Sequence, residues 1–298
     1  GAFHSVGTSS KSPFDAIVPA TLTSALQEAL GTDQVNAVLG EQVYAELGTT
    51  SGTTIVEGDI ASVKANESSW QNSCNDAAIV VLSRAGGEST DAAMKTEEGR
   101  NYLALSSQEE DLMSYLKQQK EAGVFGSIIV LVNSEQAMEL GWLDEYDVDA
   151  CLVVGRPGAV GYTGIVNVLT GAANPSGRLV DTYASNSLSA PATVFAGENT
   201  QTWANLDWVE NNDVDFGTDG SENNWIVYAE GIYVGYKYYE TRYEDTVLGN
   251  GNADSIVGSS TGKAWNYNDE IAYPFGYGLS YTDFKWSDYS VEDKGDTY

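Results

Sequence analysis

Three short apolar runs, Ala78 to Leu82, Ser127 to Val132 and Ala150 to Val154, are rich in β-branched residues and bounded by polar residues or glycine. Runs of this kind read as strands covered on both faces, the condition of a parallel sheet inside an α/β protein. The intervening sequence fits that reading. Ser106-Ser107-Gln108-Glu109 is a capping box, and from Glu109 to Ala122 the residues Leu112, Met113 and Leu116 fall at helical spacing before Gly123 stops the helix. Further helices are expected around Gln136 to Leu143, from about Val160 to Thr170 with Gly171 closing it, and over Thr21 to Leu30 behind Pro19. Asn174-Pro175-Ser176-Gly177 turns the chain into another expected strand, Arg178 to Tyr183. Strands alternating with helices of this length predict an α/β fold with a doubly wound, mostly parallel sheet, right-handed crossovers and helices on both faces.

Two stretches interrupt the alternation. Ser187 to Asn224 is polar and acidic, with Trp203 and Trp208 inside it and Trp225 at its end, and Tyr243 to Asp269 is rich in Gly, Asn and Ser. Both are expected to be long loops, whose tryptophans either pack on a neighbouring domain or stack on sugar rings.

Charge narrows the partners. With 43 acidic and 14 basic residues the 298-residue chain carries a net charge of -29, a field that repels nucleic-acid phosphates and anionic lipid headgroups. No nucleic acid is expected as a partner. No run approaches the roughly 20 apolar residues of a membrane-spanning helix, so no membrane contact is expected of this domain. Cys74 and Cys151 lack the paired spacing of a zinc site and are too few for a disulfide framework. The one histidine, His4, would have to serve any Ser-His-Asp, Cys-His or HExxH chemistry alone. The acidic, lysine-poor, Ser/Thr/Asn-rich composition leans toward an extracellular or cell-surface setting.

Ser83-Arg84-Ala85-Gly86-Gly87-Glu88 follows the first apolar run directly. In open α/β sheets ligands bind in the crevice beyond the carboxyl ends of the strands, so Glu88 stands where catalytic groups are found. Glu97 and Glu98 are nearby competitors for the same role. Gly155-Arg156-Pro157-Gly158-Ala159-Val160-Gly161 also follows a strand, but it matches neither GxGxxG nor GxxxxGK[ST], which argues against a nucleotide site.

Glu230-Gly231-Ile232-Tyr233-Val234-Gly235-Tyr236-Lys237-Tyr238-Tyr239-Glu240, followed by Tyr273-Pro274-Phe275-Gly276-Tyr277-Gly278-Leu279-Ser280-Tyr281-Thr282, resembles a signature of glycoside hydrolase family 3. Gly171 to Leu179 is similar to the family's helix-to-strand turn, Ser83 to Glu88 to its acid/base loop, and Gly7-Thr8-Ser9-Ser10 to a Gly/Ser-rich loop near the start of its second domain. The resemblance covers nearly the whole chain. It implies a six-stranded (α/β)6 sandwich over residues 1–283, with the first strand upstream of Gly1, and over 284–298 the start of a linker to a fibronectin-type domain.

What the resemblance implies for chemistry is a retaining exo-acting β-glycosidase, most simply a β-glucosidase acting on a β-linked glucoside or oligosaccharide, with no cofactor and no metal. Glu88 is then the general acid/base. The nucleophilic aspartate is expected on a (β/α)8 barrel that this chain does not contain, a partner domain in cis or in trans, since the mechanism needs two carboxyl groups about 5 to 5.5 Å apart. Ser10 and Arg84 are the implied substrate contacts, Arg84 alternatively bracing the loop or a carboxylate. The isolated chain is therefore expected to be inactive. Departing from the commoner Gly-Glu-Gly, Ser89 follows Glu88. β-Xylosidase or another exo-activity stays open, and a sandwich glutamate argues against the family's N-acetylglucosaminidase branch. The alternative from the binding class is a non-catalytic carbohydrate-binding or scaffolding module of the same fold. The tyrosines of Tyr233 to Tyr239 are read as a strand or extended segment packed on the sheet rather than as sugar contacts.

Overall fold

A computed structural model describes residues 21–44, 47, 55–86, 92–158, 160–194, 228, 230–249 and 259–295. Ala77–Ser83 (β1), Ser127–Asn133 (β2) and Ala150–Val153 (β3) form a parallel sheet in the order β1-β2-β3. Its register sets Ala77 opposite Ser127 and Ile129 opposite Ala150. Each strand begins and ends within a residue or two of the apolar run that predicted it.

The pleat sends alternate side chains to opposite faces, and both faces are covered. Val80, Leu82, Ile128, Val130 and Val132 pack with Val63 of helix α2 (Ile60–Ala65) and with Leu112, Met113 and Leu116 of α3 (Ser107–Glu121). Leu131, flanked by Ile79, Val81 and Ile129, packs on the other side with Leu26 of α1 (Leu22–Leu30) and Ile165 and Val166 of α4 (Tyr162–Leu169). Helices thus lie on both faces of an open parallel sheet, the doubly wound α/β arrangement. Three of its strands lie among the described residues.

Local signals set the helix ends. The Ser106 hydroxyl accepts from the Glu109 amide at 3.2 Å while the Glu109 carboxylate accepts from the Ser106 amide at 2.8 Å, closing the capping box of α3. Gly123, at φ +75°, takes the left-handed turn past its end. Thr21 and Ser24 make the same reciprocal bonds at the start of α1.

Four expectations differ. The Gln136 to Leu143 segment is a series of turns, because the Glu139 amide donates to Leu103 O at 2.9 Å instead of into a helix, and Gly141 lies close against Ser185. The Arg178 to Tyr183 strand contracts to Tyr183–Ala184 (β4), which pairs antiparallel with Ile271–Tyr273 (β5). Val180 is 84% exposed, and the Asp181 carboxylate accepts from the following amide of Thr182 at 2.8 Å, so the apolar pattern there does not mark a buried strand. The tyrosine-rich segment is a helix, Tyr236–Leu248, entered through Gly235 at φ +58°. This helix also takes the first part of the loop expected over Tyr243 to Asp269, and a short helix, Tyr267–Glu270, takes the last. Tyr238 and Tyr239 are buried with Ala184, Ala190, Trp265 and Ile271, so they are core residues on a helix rather than a strand. Burial of Tyr238 and Tyr239 in this cluster outweighs the β preference of tyrosine.

The three aromatic and glycine-rich motifs meet. Tyr236 stacks on Phe275 with ring centroids 4.0 Å apart, Leu179 exchanges backbone hydrogen bonds with Gly276 and Tyr277 at 2.8 Å each, and the Tyr281 amide donates to Asn174 Oδ1 at 2.8 Å. A Cβ at Gly278 would stand 2.5 Å from Gly177 O, so that glycine permits the backbones to touch. Residues 284–295 are exposed throughout, Trp286 at 93%. Among the described residues no helix is long and apolar enough to cross a membrane. Most of the Ser187 to Asn224 stretch, with Trp203 and Trp208, and also Trp225, lies outside the described residues.

Candidate functional site

The carboxyl ends of the three parallel strands are laced together. The Ser83 hydroxyl donates to Asn133 Oδ1 at 3.2 Å, and Asn133 Nδ2 donates to Gly155 O, so one asparagine side chain joins the exits of β1, β2 and β3. The Arg84 amide continues the β1–β2 ladder by donating to Asn133 O at 3.2 Å. This edge is the platform on which the β1 loop stands.

Arg84 follows at once and is buried. Its Nε donates to Tyr102 O at 2.6 Å, one Nη to Ser83 O and Glu109 Oε1, both at 2.8 Å, and the other to Ala104 O at 2.5 Å and Glu109 Oε2 at 2.7 Å. All five N–H groups of the guanidinium are thereby engaged by the chain itself. The substrate contact expected of Arg84 finds no free N–H; the brace to a carboxylate is what the geometry supplies. The ring of Tyr102 lies 5.7 Å from the guanidinium carbon, and its hydroxyl accepts from the Ala85 amide and donates to the Ala85 carbonyl, each at 2.9 Å. Burial is the main cause that raises the Tyr102 phenol above its ordinary pKa, so it stays a protonated donor.

Gly86 closes the described part of the loop. A Cβ there would stand 2.8 Å from Gln136 Nε2 and 3.0 Å from both the amide nitrogen and Cβ of Ala92. The chain therefore leaves at Gly86 and returns at Ala92 beside it, and residues 87–91 connect these adjoining points. Arg156, beyond β3, donates from Nη2 to Gly86 O and pairs through Nε with Glu135 Oε2 at 3.2 Å. Glu88 and Ser10, named from the sequence, lie outside the described residues. Glu97 and Glu98 are exposed, and both oxygens of Glu98 accept from the Ser107 hydroxyl at the start of α3, at 2.8 and 2.9 Å.

A cavity of about 270 Å³ opens beside the loop base, lined in part by Ala92, Met94, Asn101, Leu103, Gln136 and Thr193. Behind it, Glu139 Oε1 accepts from the Ser187 amide at 2.7 Å and from Asn101 Nδ2 at 2.6 Å. Burial raises the Glu139 carboxyl above the ordinary range, although these donors, and Arg84 at a distance, pull the other way. No local pattern joins Asn101, Glu139 and Ser187 in the sequence, because long-range packing alone brings them together. Among the described residues no group of three His, Cys, Asp or Glu side chains is placed to hold a metal.

An open parallel sheet sandwiched between helices, with its loops braced at the carboxyl edge, defines an α/β sandwich domain. The chain belongs to glycosyl hydrolase family 3: the model of that family's C-terminal domain matches residues 4–236. It is 29% identical over 213 residues to a β-glucosidase of Ruminococcus albus, covering 72% of this chain and 16% of that protein. To β-glucosidase A of Butyrivibrio fibrisolvens it is 26% identical, over 73% of this chain and 22% of the relative. The crystal structure of a β-glucosidase from Paenibacillus barengoltzii superposes with a TM-score of 0.56 at 22% identity, over 94% of this chain and 25% of that one, a likeness of fold. The chain thus spans less than a quarter of the curated relatives named here.

Proposed function

We propose that this chain is the acid-donating domain of a retaining, exo-acting β-glycosidase, a β-glucosidase, with Glu88 as general acid/base. The relatives are named β-glucosidases, which supports a β-linked glucoside as substrate and a (β/α)8 barrel as the companion that carries the nucleophilic aspartate. One observation carries the role of Glu88: the loop base on either side of it is clamped at the carboxyl edge of the sheet, through Tyr102 on Ala85, Arg156 on Gly86 and the apposition of Gly86 with Ala92. Two peptide units, a reach of at most about 7 Å, separate Glu88 Cα from Gly86 Cα. A catalytic acid must be held to a fraction of an ångström relative to its substrate, and a short loop rooted on rigid strands meets that demand.

In the proposed reaction Glu88 in its protonated form donates to the glycosidic oxygen as the barrel aspartate attacks the anomeric carbon. Glu88 as carboxylate then removes a proton from the water that releases the sugar. Ser10 contributes a hydroxyl to the sugar, and Arg84 holds the loop through Glu109 without touching the substrate. Assay of the purified 298-residue chain against a full-length protein, meaning the chain joined to or mixed with its proposed (β/α)8 companion, on an aryl β-glucoside tests this division of labour. Activity confined to the full-length protein supports it, and robust hydrolysis by the 298-residue chain overturns it. Sugar binding by the chain alone, with a barrel-joined form still inactive, favours a carbohydrate-binding module instead.

A further inference from the structure

We propose that Arg156 is a positioning residue for the acid on the β1 loop, acting through the carbonyl of Gly86. The proposal rests on the reading of Glu88 as that acid. Arg156 stands beyond the end of β3, and β2 lies between β3 and β1. Its guanidinium therefore crosses the end of the central strand to reach the Gly86 carbonyl, the last described acceptor before Glu88. Its Nε pairs with Glu135, which itself follows β2, at 3.2 Å. One side chain thus ties the exits of all three strands to the peptide group joining Gly86 and Gly87.

The geometry suits positioning better than stability. The Glu135 side chain is 52% exposed, and an ion pair with so exposed a partner adds little to the fold. Arg84, by contrast, is sealed beneath the loop with all its donors engaged and holds the chain up to Ala85 through Tyr102. Past Ala85, Gln136 and Ala92 limit the space at Gly86, and Arg156 donates to its carbonyl. A planar fork is needed to serve Gly86 and Glu135 together, and a lysine ammonium has no such fixed pair of donors.

The test compares Arg156→Ala, Arg156→Lys and Glu88→Ala in the full-length protein, reading kcat/KM on methyl β-glucoside, whose leaving group needs a proton, and on 2,4-dinitrophenyl β-glucoside, whose leaving group does not. Glu88→Ala is expected to lose about 100-fold or more on the methyl glucoside and only a few-fold on the activated one. Arg156→Ala is expected to show the same contrast on a smaller scale, about tenfold against less than about threefold, with Arg156→Lys between it and the parent and the thermal midpoint unchanged. Equal losses on both substrates, or none on either, while Glu88→Ala keeps its contrast, overturn the role of Arg156 alone. If Glu88→Ala itself shows no contrast, the assignment of the acid fails, and the role of Arg156 fails with it.

Discussion

Arg84 and Glu109 form a bidentate ion pair sealed from solvent, their side chains 0% and 1% exposed, with N–O distances of 2.8 and 2.7 Å. Glu109 also caps the first turn of α3 through the Ser106 amide, so a single carboxylate joins the helix N-terminus to the end of β1. Removing either partner leaves the other charge buried and uncompensated, a loss of about 3–5 kcal/mol. Arg84→Met or Glu109→Leu alone should lower the urea midpoint of the chain accordingly, whereas the double variant should lose markedly less than the sum of the two. Additive losses would show that the pair is not coupled.

Gly86 has no room for a side chain, and part of the obstruction is the backbone of Ala92, which cannot rotate away as a side chain can. Gly86→Ala should cost about 1–3 kcal/mol through overpacking. In the full-length enzyme it should reduce activity on unactivated glucosides. A stable, fully active Gly86→Ala protein would mean that the loop base is not held as tightly as the contact between Gly86 and Ala92 implies.

The half-buried Glu139 makes stability depend on pH with a defined sign. Burial disfavours its charged form in the folded chain, so its folded pKa lies above the ordinary 4.5. From about pH 4.5 upward, until the folded group has also titrated, the folded state binds more protons than the unfolded one, and stability falls as pH rises. Glu139→Gln keeps an acceptor for the Ser187 amide and removes this titration. The stability of the variant relative to the parent should therefore rise between pH 4 and 7 in unfolding curves measured on both. A parallel pair of curves would exclude Glu139 as a source of the slope.

Much of the sheet was legible because its signals are local. The three apolar runs became β1, β2 and β3 almost residue for residue, and the Ser106-to-Glu109 capping box starts α3 where its spacing requires. The reading failed where a distant partner decides. Glu139 gives its amide to Leu103 instead of a helix, and Val180 faces solvent despite its apolar neighbours. Tyr236 to Tyr243 adopts the helical period that strand propensity had hidden. At the strand end, Arg84 was expected as a substrate contact with a carboxylate brace as the alternative, and the brace is what its donors make, while Glu88 lies outside the described residues. The fork of Arg156 onto Gly86, and the joining of Asn101, Glu139 and Ser187, were not legible, since each spans dozens of residues and leaves no periodic trace.

The most direct test of Glu88 as acid/base is azide rescue of Glu88→Ala in the full-length protein, with 2,4-dinitrophenyl β-glucoside as substrate. The activated leaving group departs unaided, so the sugar reaches the enzyme's nucleophile, and the variant then stalls because no base activates water. Azide needs no deprotonation. Azide is expected to raise kcat at least about tenfold, and the product to be β-glucosyl azide, formed with net retention. No acceleration, or a product of α configuration, would contradict it, the latter by making Glu88 the nucleophile instead.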